Sequence, residues 1–292
     1  MIYYKNIKVE FCRKKELIMT DKQNDKVMQE KLIEYIDQIN VQFREPVSNI
    51  FASLPLLVNN INSQNTEKAM ENLHSVYQKT YSILKGINNI SMAAKLLENY
   101  CFDKTVVDFS SMVKSVFNSS EMVLPEYLDA DISVDDGCFV DGNGSLLTVA
   151  LLNLLLNSFD YRREDNVKVK ITLKKDNGRC VLVYRDNSIG IKSETVQNIF
   201  EPFFTANPYN DGEPSTKLGL GLYIAKQAVV NAGGTIMVQS QFSEGVSYII
   251  SIPESKAENS VIFKNSTKEF ILNRYSEIFV QLCEYCDLPD LV

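Results

Sequence analysis

Apolar residues in the first hundred positions recur at steps of three and four, the spacing of one helix face. One series predicts a long amphipathic helix and contains Leu32, Ile36, Ile39, Phe43, Val47, Ile50, Leu54, Leu57 and Ile61. A second series predicts another helix and contains Ala69, Leu73, Val76, Leu84, Ile87, Ile90, Ala94 and Leu97. Between them, residues 62–67 indicate a turn, with Asn65 or Thr66 as the helix cap. The pattern predicts an antiparallel hairpin over 22–100, which buries its stripes best by pairing with a copy of itself in a dimeric four-helix bundle.

The pattern changes after residue 100. Residues 146–163 form a strongly apolar helical stretch interrupted by asparagines. Residues 167–186 alternate around a turn at 176–178, which predicts a two-stranded hairpin, and residues 247–253 predict a further strand. Helices segregated from a mostly antiparallel sheet indicate an α+β chain, whose second domain over 101–254 is an α/β sandwich.

The two ends of the chain are less informative. Residues 1–21 are compatible with a strand or with a remnant of another element, and their role is unclear. Residues 255–292 include an amphipathic stretch from Phe270 to Cys286. We expect a helix there that covers a domain surface or a dimer contact.

Composition narrows the class of protein. The chain has 292 residues, 45% of them apolar, and a net charge of −7, which argues against nucleic acid as the main partner. No apolar run approaches the roughly 20 residues that span a bilayer, and the start of the sequence lacks a signal-peptide core. Six scattered cysteines indicate reduced thiols in the cytoplasm. Cys283 and Cys286 form one CxxC without a second ligand pair, so we interpret their spacing as incidental.

Two asparagines in the apolar helix are the first candidates for chemistry. Asn153 and Asn157 are four residues apart and therefore lie on one helix face. Buried carboxamides need partners, and their oxygens are acceptable ligands for Mg²⁺, which works with substrate phosphates. The alternative is that both side chains cap the backbone of a neighbouring strand.

Two glycine-containing turns follow. Asp186 and Gly190 come just past a strand end, where an acid can accept a hydrogen bond from a purine amino group, although a plain turn explains them equally well. Further on, Gly219 and Gly221 precede a helix, and a glycine-rich turn at a helix start is a common anion site. Ordinary steric need for a tight loop is the alternative. An aromatic segment and a polar loop, together 199–208, stand between the two turns.

Taken together, these motifs resemble the catalytic core of sensor histidine kinases, with an ATP-binding domain of the gyrase and histidine kinase superfamily. NLLLNSFDY is similar to the N box of that family, DNSIGI to its first glycine box, IFEPFF to its F box and LGLGL to its second glycine box. The resemblance covers about residues 22–253. It implies Mg²⁺ on Asn157 and an ATP site formed by Asn153, Asn157, Tyr161, Asp186, Gly190, Gly219, Leu220, Gly221 and Leu222.

The sequence departs from the family pattern at several of these positions. ATP-hydrolysing relatives have a general-base glutamate where Asn153 stands, so the resemblance favours phosphoryl transfer or plain binding over hydrolysis. Ser188 replaces a glycine, which is tolerable if its backbone is not in a glycine-only conformation. Asp160 and Asn207 replace basic residues near the phosphates, a loss that Arg162, Arg163 or Lys217 would have to offset.

The phosphoacceptor position is the largest departure. FREPVSNI resembles the dimerisation-helix motif, which places the family's histidine at Val41, with Gln42 in place of an acid. An isopropyl group cannot accept phosphate. His74, the single histidine, lies on the second helix, and if the turn is centred near 64 it sits ~18 Å from the level opposite Val41. We therefore assign no catalytic residue.

The sequence predicts a cytoplasmic, ATP-binding, histidine-kinase-like protein of a two-component system that forms a homodimer through 22–100. Its partner would be a response regulator or a partner kinase. The first alternative is a nucleotide-binding pseudokinase or scaffold that docks such a partner without phosphotransfer. A second alternative is a serine/threonine kinase of the anti-sigma-factor type, against which the long hairpin counts.

Overall fold

The computed structural model of the protein describes residues 35–205, 217–256 and 273–286. Residues 35–62 are helical and belong to α1, and Thr66–Leu97 forms α2. The side chain of Asn65 caps α2 by accepting a hydrogen bond from the amide of Lys68 at 3.3 Å. Of the two capping residues that the sequence offers, Asn65 is the one used. The segment 1–21 and Leu32 lie outside the described residues.

The two helices form the predicted antiparallel hairpin. Near the turn, Asn60 donates a side-chain hydrogen bond to Asn72 at 2.8 Å. Farther along, Gly86 lies against α1, since a β-carbon there would be 3.0 Å from the ring of Phe43. Gly86 is therefore at about the level of Val41, as the sequence indicates. His74 is close to Asn72 in the chain, several turns away.

The second domain alternates short strands and helices. Its elements are β1 (Thr105–Asp108), α3 (Phe109–Val123), β2 (Leu128–Val134), β3 (Phe139–Gly142), α4 (Gly144–Asp160), β4 (Val167–Asp176), β5 (Arg179–Asp186), α5 (Gly221–Asn231), β6 (Thr235–Gln241) and β7 (Gly245–Pro253). The five-stranded sheet has the order β2-β4-β5-β7-β6, and β1 pairs with β3 separately. Only β2 and β4 run parallel in the larger sheet.

The β4–β5 hairpin shows why this part of the chain was predictable. Asn177 and Gly178 have φ values of 49° and 73°, the left-handed pair that a tight two-residue hairpin turn requires. Alternate residues of β4, such as Val169, Ile171 and Leu173, are buried. The turn and the alternation fix the same register.

Helix α4 is the centre of this domain. Thirteen of its residues are buried, so it is apolar on nearly all sides rather than amphipathic. Its N-cap is Asn143, whose side chain accepts a hydrogen bond from the amide of Leu146 at 3.0 Å. It packs against α3, α5 and the C-terminal helix α6 (Glu277–Leu282), with the buried face of the sheet in the same core. The few polar residues of α4 therefore occupy special positions.

The C-terminal helix is shorter than the sequence predicts. Among residues 273–286, α6 covers only Glu277–Leu282 and is followed by a 3₁₀ turn at Cys283–Tyr285. The prediction of a helix through 273–276 is wrong, because Ser276 caps α6 by accepting from the amide of Phe279. The segment does cover a surface, since it packs between α2 and α4.

Two apolar clusters join the hairpin to the second domain. In one, Ala93 of α2 packs with Leu218, Leu220 and Ile224. In the other, the rings of Tyr81 and Phe279 meet edge to face at 5.2 Å. Within the part of the chain that the structure describes, no helix combines the length and the apolar character needed to cross a membrane.

Candidate functional site

A cavity of about 480 Å³ lies beside the C-terminal half of α4. Its walls come from α4, the end of β5, the glycine turn before α5, and the helical hairpin. All nine residues that the resemblance assigns to nucleotide binding border this one cavity, although they are spread over 70 positions of sequence: Asn153, Asn157, Tyr161, Asp186, Gly190, Gly219, Leu220, Gly221 and Leu222.

The two asparagines share one face of α4, as predicted. Asn153 is only 3% exposed, and its amide nitrogen is buried without a hydrogen-bond partner among the described residues. The amide of Asn157 interacts with the hydroxyl of Tyr248 on β7. A buried amide left unpaired costs roughly 1–3 kcal/mol. The unmet hydrogen-bonding capacity of the Asn153 amide favours a ligand in the cavity.

The leucines and glycines of the LGLGL turn alternate because the leucines are buried against the hairpin and the glycines lie where a side chain would clash. Leu218 and Leu220 are buried in the cluster with Ala93 and anchor the turn to the hairpin. The intervening Gly219 has a φ of +65°, and a β-carbon there would lie 2.3 Å from the carbonyl oxygen of Phe204. At Gly221 a β-carbon would lie 3.1 Å from Asn153 Oδ1. The start of α5 thus comes close to α4, with its amino end beside the cavity.

Asp186, which also lines the cavity, is held in place by several hydrogen bonds. Its carboxylate is 6% exposed and accepts from the hydroxyl of Ser158 at 2.6 Å and from the amide of Val246 at 3.0 Å. Ser188 donates to it twice, through its amide at 3.0 Å and its hydroxyl at 2.6 Å. Ser188, which replaces a family glycine, is not among the residues with positive φ, so the condition for tolerating it is met.

Gly190 has a strict steric role. Its φ is +75°, and a β-carbon would lie 2.3 Å from the carbonyl oxygen of Gln241 at the end of β6. Only glycine lets the chain after β5 pass this close to the β6–β7 turn. The backbone of the segment that follows Asp186 is therefore fixed where it passes the sheet.

Tyr161 and Asp160 form the rim at the end of α4. Lys217 makes an ion pair with Asp160 at 2.9 Å and places its ammonium 4.7 Å from the centre of the Tyr161 ring. Burial, with a smaller effect of Asp160, raises the pKa of Tyr161 to about 12. The phenol therefore stays neutral. The charge of Lys217 is partly neutralised by the acid that replaces a family base.

The hairpin contributes residues to the cavity that sequence reasoning missed. Gln42 of α1 and Lys85 and Asn89 of α2 line it. Val41 is 50% exposed and is the neighbour of Gln42. The helix geometry that places residue 86 opposite Val41 also places Lys85 near that level. The sequence does not show that this part of the hairpin packs against the second domain, so Lys85 could not be identified as a cavity residue. Asn207 lies outside the described residues.

The CxxC pair does not take part in this site. Cys283 and Cys286 are buried and direct their thiols at the carbonyls of Val280 and Leu282. Burial raises the pKa of Cys283, so the thiol stays protonated. Over 35–205, 217–256 and 273–286, no three His, Cys, Asp or Glu side chains come together in a metal-binding cluster.

Comparison with known proteins identifies this part of the chain. Residues 142–256 match the family described as histidine kinase-, DNA gyrase B-, and HSP90-like ATPase. Sensor protein ChvG of Agrobacterium fabrum is 22% identical over 239 residues, which cover 77% of this chain and 40% of that protein. Aerobic respiration control sensor protein ArcB of Escherichia coli is 23% identical over 224 residues, which cover 75% of this chain and 28% of that protein.

Two further comparisons agree. Sensor-like histidine kinase SenX3 of Mycolicibacterium smegmatis is 30% identical over 154 residues, which cover 52% of this chain and 39% of that protein. The chain thus spans at most 40% of the length of these three relatives. The solved Acinetobacter baumannii histidine kinase AdeS has the same fold, with a TM-score of 0.51 and 18% identity over 73% of this chain and 97% of that one. Residues 142–256 are an ATPase domain of the histidine kinase, DNA gyrase B and HSP90 family, set in a chain with the architecture of a sensor histidine kinase catalytic core.

Proposed function

We propose that the protein binds Mg·ATP in the cavity beside α4 and acts as a histidine-kinase-like component of a two-component system. The observation that carries the proposal is the buried, unpartnered amide of Asn153, which with Asn157 lines the same cavity as the carboxylate of Asp186. These groups match the two ends of a nucleotide, because a metal triphosphate needs hard oxygen ligands and a purine amino group needs an acceptor.

Each residue of the site has a separate task in this proposal. Asn157 would hold Mg²⁺ through its carboxamide oxygen, since its amide nitrogen interacts with the hydroxyl of Tyr248 and leaves the oxygen for the ion. Asn153 would lie beside the phosphates. Tyr161 would pack against the adenine, and Asp186 would accept from its amino group. The remaining contacts would come from the two glycine turns, through Gly190, Gly219, Leu220, Gly221 and Leu222.

Bound Mg²⁺ would supply neutralisation of the charge that develops on the phosphates. The protein groups would hold the nucleotide in position. Asn153 cannot deprotonate a water molecule, so the site favours holding or transferring the terminal phosphoryl group over hydrolysis. Val41 cannot receive that group, so transfer would have to go to a residue of another protein, such as a partner kinase.

Val41 also supports a second candidate function. An exposed isopropyl group at the acceptor position, next to a cavity-lining Gln42, leaves a nucleotide site without an acceptor in its own hairpin. A pseudokinase or scaffold that binds ATP and docks a response regulator or partner kinase would have this arrangement. In both proposals the protein acts in the cytoplasm, where ATP is its ligand, and forms a homodimer through 22–100.

Calorimetric titration tests the binding site. We expect the wild type to bind Mg·ATP, Asn157→Ala to lose most of that affinity, and Asp186→Asn to lose preference for ATP over GTP. Asn166→Ala, at an exposed asparagine beyond α4, is the matched control and should bind normally. A wild type that binds no nucleotide at millimolar concentration would refute both proposed functions.

Incubation with labelled ATP separates the two functions. Label transferred to a purified response regulator or partner kinase supports the kinase, whereas binding without transfer supports the scaffold. Label on His74 would contradict the geometry of the hairpin. Val41→His is the informative variant, because a gain of autophosphorylation would show that only the acceptor is missing.

A further inference from the structure

The cavity has no excess of positive charge for a polyanion. Three lysines and three carboxylates line it: Lys85, Lys192 and Lys217, and Asp160, Asp186 and Glu194. A nucleotide triphosphate carries several negative charges, and a single Mg²⁺ neutralises only part of them. The position of each lysine therefore decides where phosphates can bind.

Lys217 and Lys192 are poorly placed for this task. Lys217 makes its ion pair with Asp160 at 2.9 Å, which offsets its charge at the rim. Lys192 lies in the segment after β5, two residues beyond Gly190. That segment carries the proposed base-binding residues Asp186 and Gly190.

Lys85 has a different origin and a different position. It comes from α2 of the hairpin, and its side chain is only 14% exposed. The hairpin packs on the glycine turn, since Ala93 shares a cluster with Leu218 and Leu220. Lys85 lines the same cavity as Gly219 and Gly221 of that turn, where the phosphates would lie.

The neighbours of Lys85 are also polar. Asn89, one turn farther along α2, lines the same cavity, as does Gln42, whose side-chain oxygen is buried without a partner among the described residues. A wall with a lysine, an asparagine and a glutamine is unusual for a helix packed against another domain, where apolar contacts are the rule. Asn89 accepts a hydrogen bond from Gln281 of α6 at 3.3 Å, so Lys85 and Gln42 are the groups of this wall that a polar ligand would meet.

A carboxylate of the C-terminal segment holds Lys85. Glu284, in the 3₁₀ turn after α6, forms an ion pair and hydrogen bond with Lys85. Burial would raise the pKa of Glu284, but the charge of Lys85 and hydrogen bonds from Lys85 and Ser82 outweigh burial and lower it. One ammonium group thus stands between an acid on one side and the cavity on the other.

We propose that Lys85 is a phosphate-binding residue of the nucleotide site, supplied by the dimerisation hairpin, and that Glu284 competes with the nucleotide for it. The inference rests on the proposed function, because it takes ATP as the ligand. It has a consequence for the fold. Since binding linkages are reciprocal, nucleotide that draws Lys85 away loosens the hold of the C-terminal segment on α2, and that segment in turn weakens nucleotide binding.

Titration with two ligands tests the proposal. Lys85→Met keeps most of the unbranched side chain and removes its charge. We expect it to weaken Mg·ATP about 10-fold and AMP by less than about twofold, as the loss of one charge-assisted hydrogen bond to a distal phosphate requires. Lys85→Arg keeps the charge and should retain most of the ATP affinity. Lys95→Met, on the same helix but outside the cavity lining, is the matched control and should bind as the wild type does.

Glu284→Gln distinguishes a ligand role from a structural one. If Glu284 competes with nucleotide, this variant binds Mg·ATP about threefold or more tightly than the wild type, in the direction opposite to Lys85→Met. If the ion pair only holds the fold, both variants weaken binding, for ATP and AMP alike, and the inference fails. The direction in which Glu284→Gln changes the affinity for Mg·ATP distinguishes the two roles even if Lys85→Met does not fold. A wild type that binds neither nucleotide refutes the proposed function as well, whereas normal ATP binding by a folded Lys85→Met refutes this inference alone.

Discussion

The hydroxyl of Tyr285 donates a hydrogen bond to the carboxylate of Asp160, across 125 positions of sequence. The ring of Tyr285 also packs on Phe159, with the ring centres 4.8 Å apart. Burial, together with the charge of Asp160, raises the pKa of Tyr285, so the phenol remains a donor. The C-terminal segment is thereby fastened to the end of α4, at the acid that replaces a basic residue of the family.

Removal of this hydroxyl should destabilise the second domain. Tyr285→Phe keeps the ring contact and loses a hydrogen bond to a charged acceptor, which we expect to lower the free energy of unfolding by about 1–2 kcal/mol in a urea titration. Asp160 keeps its ion pair with Lys217, which limits the loss. Tyr275→Phe is the control in the same segment, since Tyr275 is 81% exposed and should change stability by less than about 0.5 kcal/mol. Equal effects of the two variants would contradict this role of Tyr285.

Two glycines with positive φ allow the cost of a left-handed backbone to be compared with and without a steric clash of the β-carbon. Gly178 and Gly219 both have positive φ, but a β-carbon at Gly178 meets nothing within 4 Å, whereas at Gly219 it lies 2.3 Å from the oxygen of Phe204. Gly178→Ala should cost about 1–2 kcal/mol from the left-handed backbone alone. Gly219→Ala should cost more, about 3–4 kcal/mol, and should weaken Mg·ATP binding, because the turn must move away from the cavity.

The measurements are urea titration for both variants and calorimetry for ATP. Gly178→Ala is expected to bind ATP normally, since it lies in the β4–β5 turn away from the cavity. If Gly219→Ala lost no more stability than Gly178→Ala and bound ATP equally well, the turn would be adaptable and its glycine would not be required.

Glu277 gives the protein a defined pH dependence of stability. Burial raises its pKa from an ordinary value of 4.5 to about 7, and a hydrogen bond with Ser145 opposes part of the rise. Between these values the folded chain holds a proton that the unfolded chain has released. The resulting stabilisation is complete below pH 4.5 and is lost as the pH rises through 7.

Glu277→Gln, which is neutral at every pH, should therefore gain on the wild type as the pH rises. We expect the difference in the free energy of unfolding to move in favour of the variant by about 1–2 kcal/mol between pH 5 and pH 8, an amount reduced because Glu277 is partly exposed. Glu126→Gln, at an exposed site after α3, should show a difference that stays within about 0.5 kcal/mol. A flat difference for Glu277→Gln would show that the carboxyl group is solvated.

The parts of the structure that were predictable are those set by local pattern. The heptad spacing gave the hairpin, and Asn177–Gly178 with its flanking alternation gave β4 and β5. The four-residue spacing of Asn153 and Asn157 placed both on one face, because helix geometry fixes that relation regardless of the rest of the chain.

The parts that were not predictable depend on contacts between distant residues. Lys85 and Glu284 are 199 positions apart, and neither carries a local signal for the other. The parallel pairing of β2 with β4 likewise depends on the intervening helix and not on either strand alone. The amphipathic pattern up to Cys286 indicated a surface helix, but the cap at Ser276, which sets its true start, competes with helix formation upstream.

An apolar stripe on α1 predicts the assembly state. Val47, Phe51, Leu54, Val58 and Ile61 follow at steps of four and three, and each is between 39% and 71% exposed in the single chain. A stripe of this kind is stable in water only when another surface covers it. A second copy of the hairpin would do so, because the four-helix bundle presents the same spacing on both sides.

Phe51→Glu tests this assembly, because it places a charge at the most exposed residue of the stripe. Leaving that charge unpaired in a buried interface costs about 3–5 kcal/mol, which corresponds to a dimer affinity lower by about 100-fold or more. We expect sedimentation velocity to show a wild-type dimer and a Phe51→Glu monomer. Met237→Glu is the control, since Met237 is 57% exposed on β6 and should leave the dimer intact. A dimer that survives Phe51→Glu would mean that the copies meet through another surface, and a monomeric wild type would mean that the stripe binds a different partner.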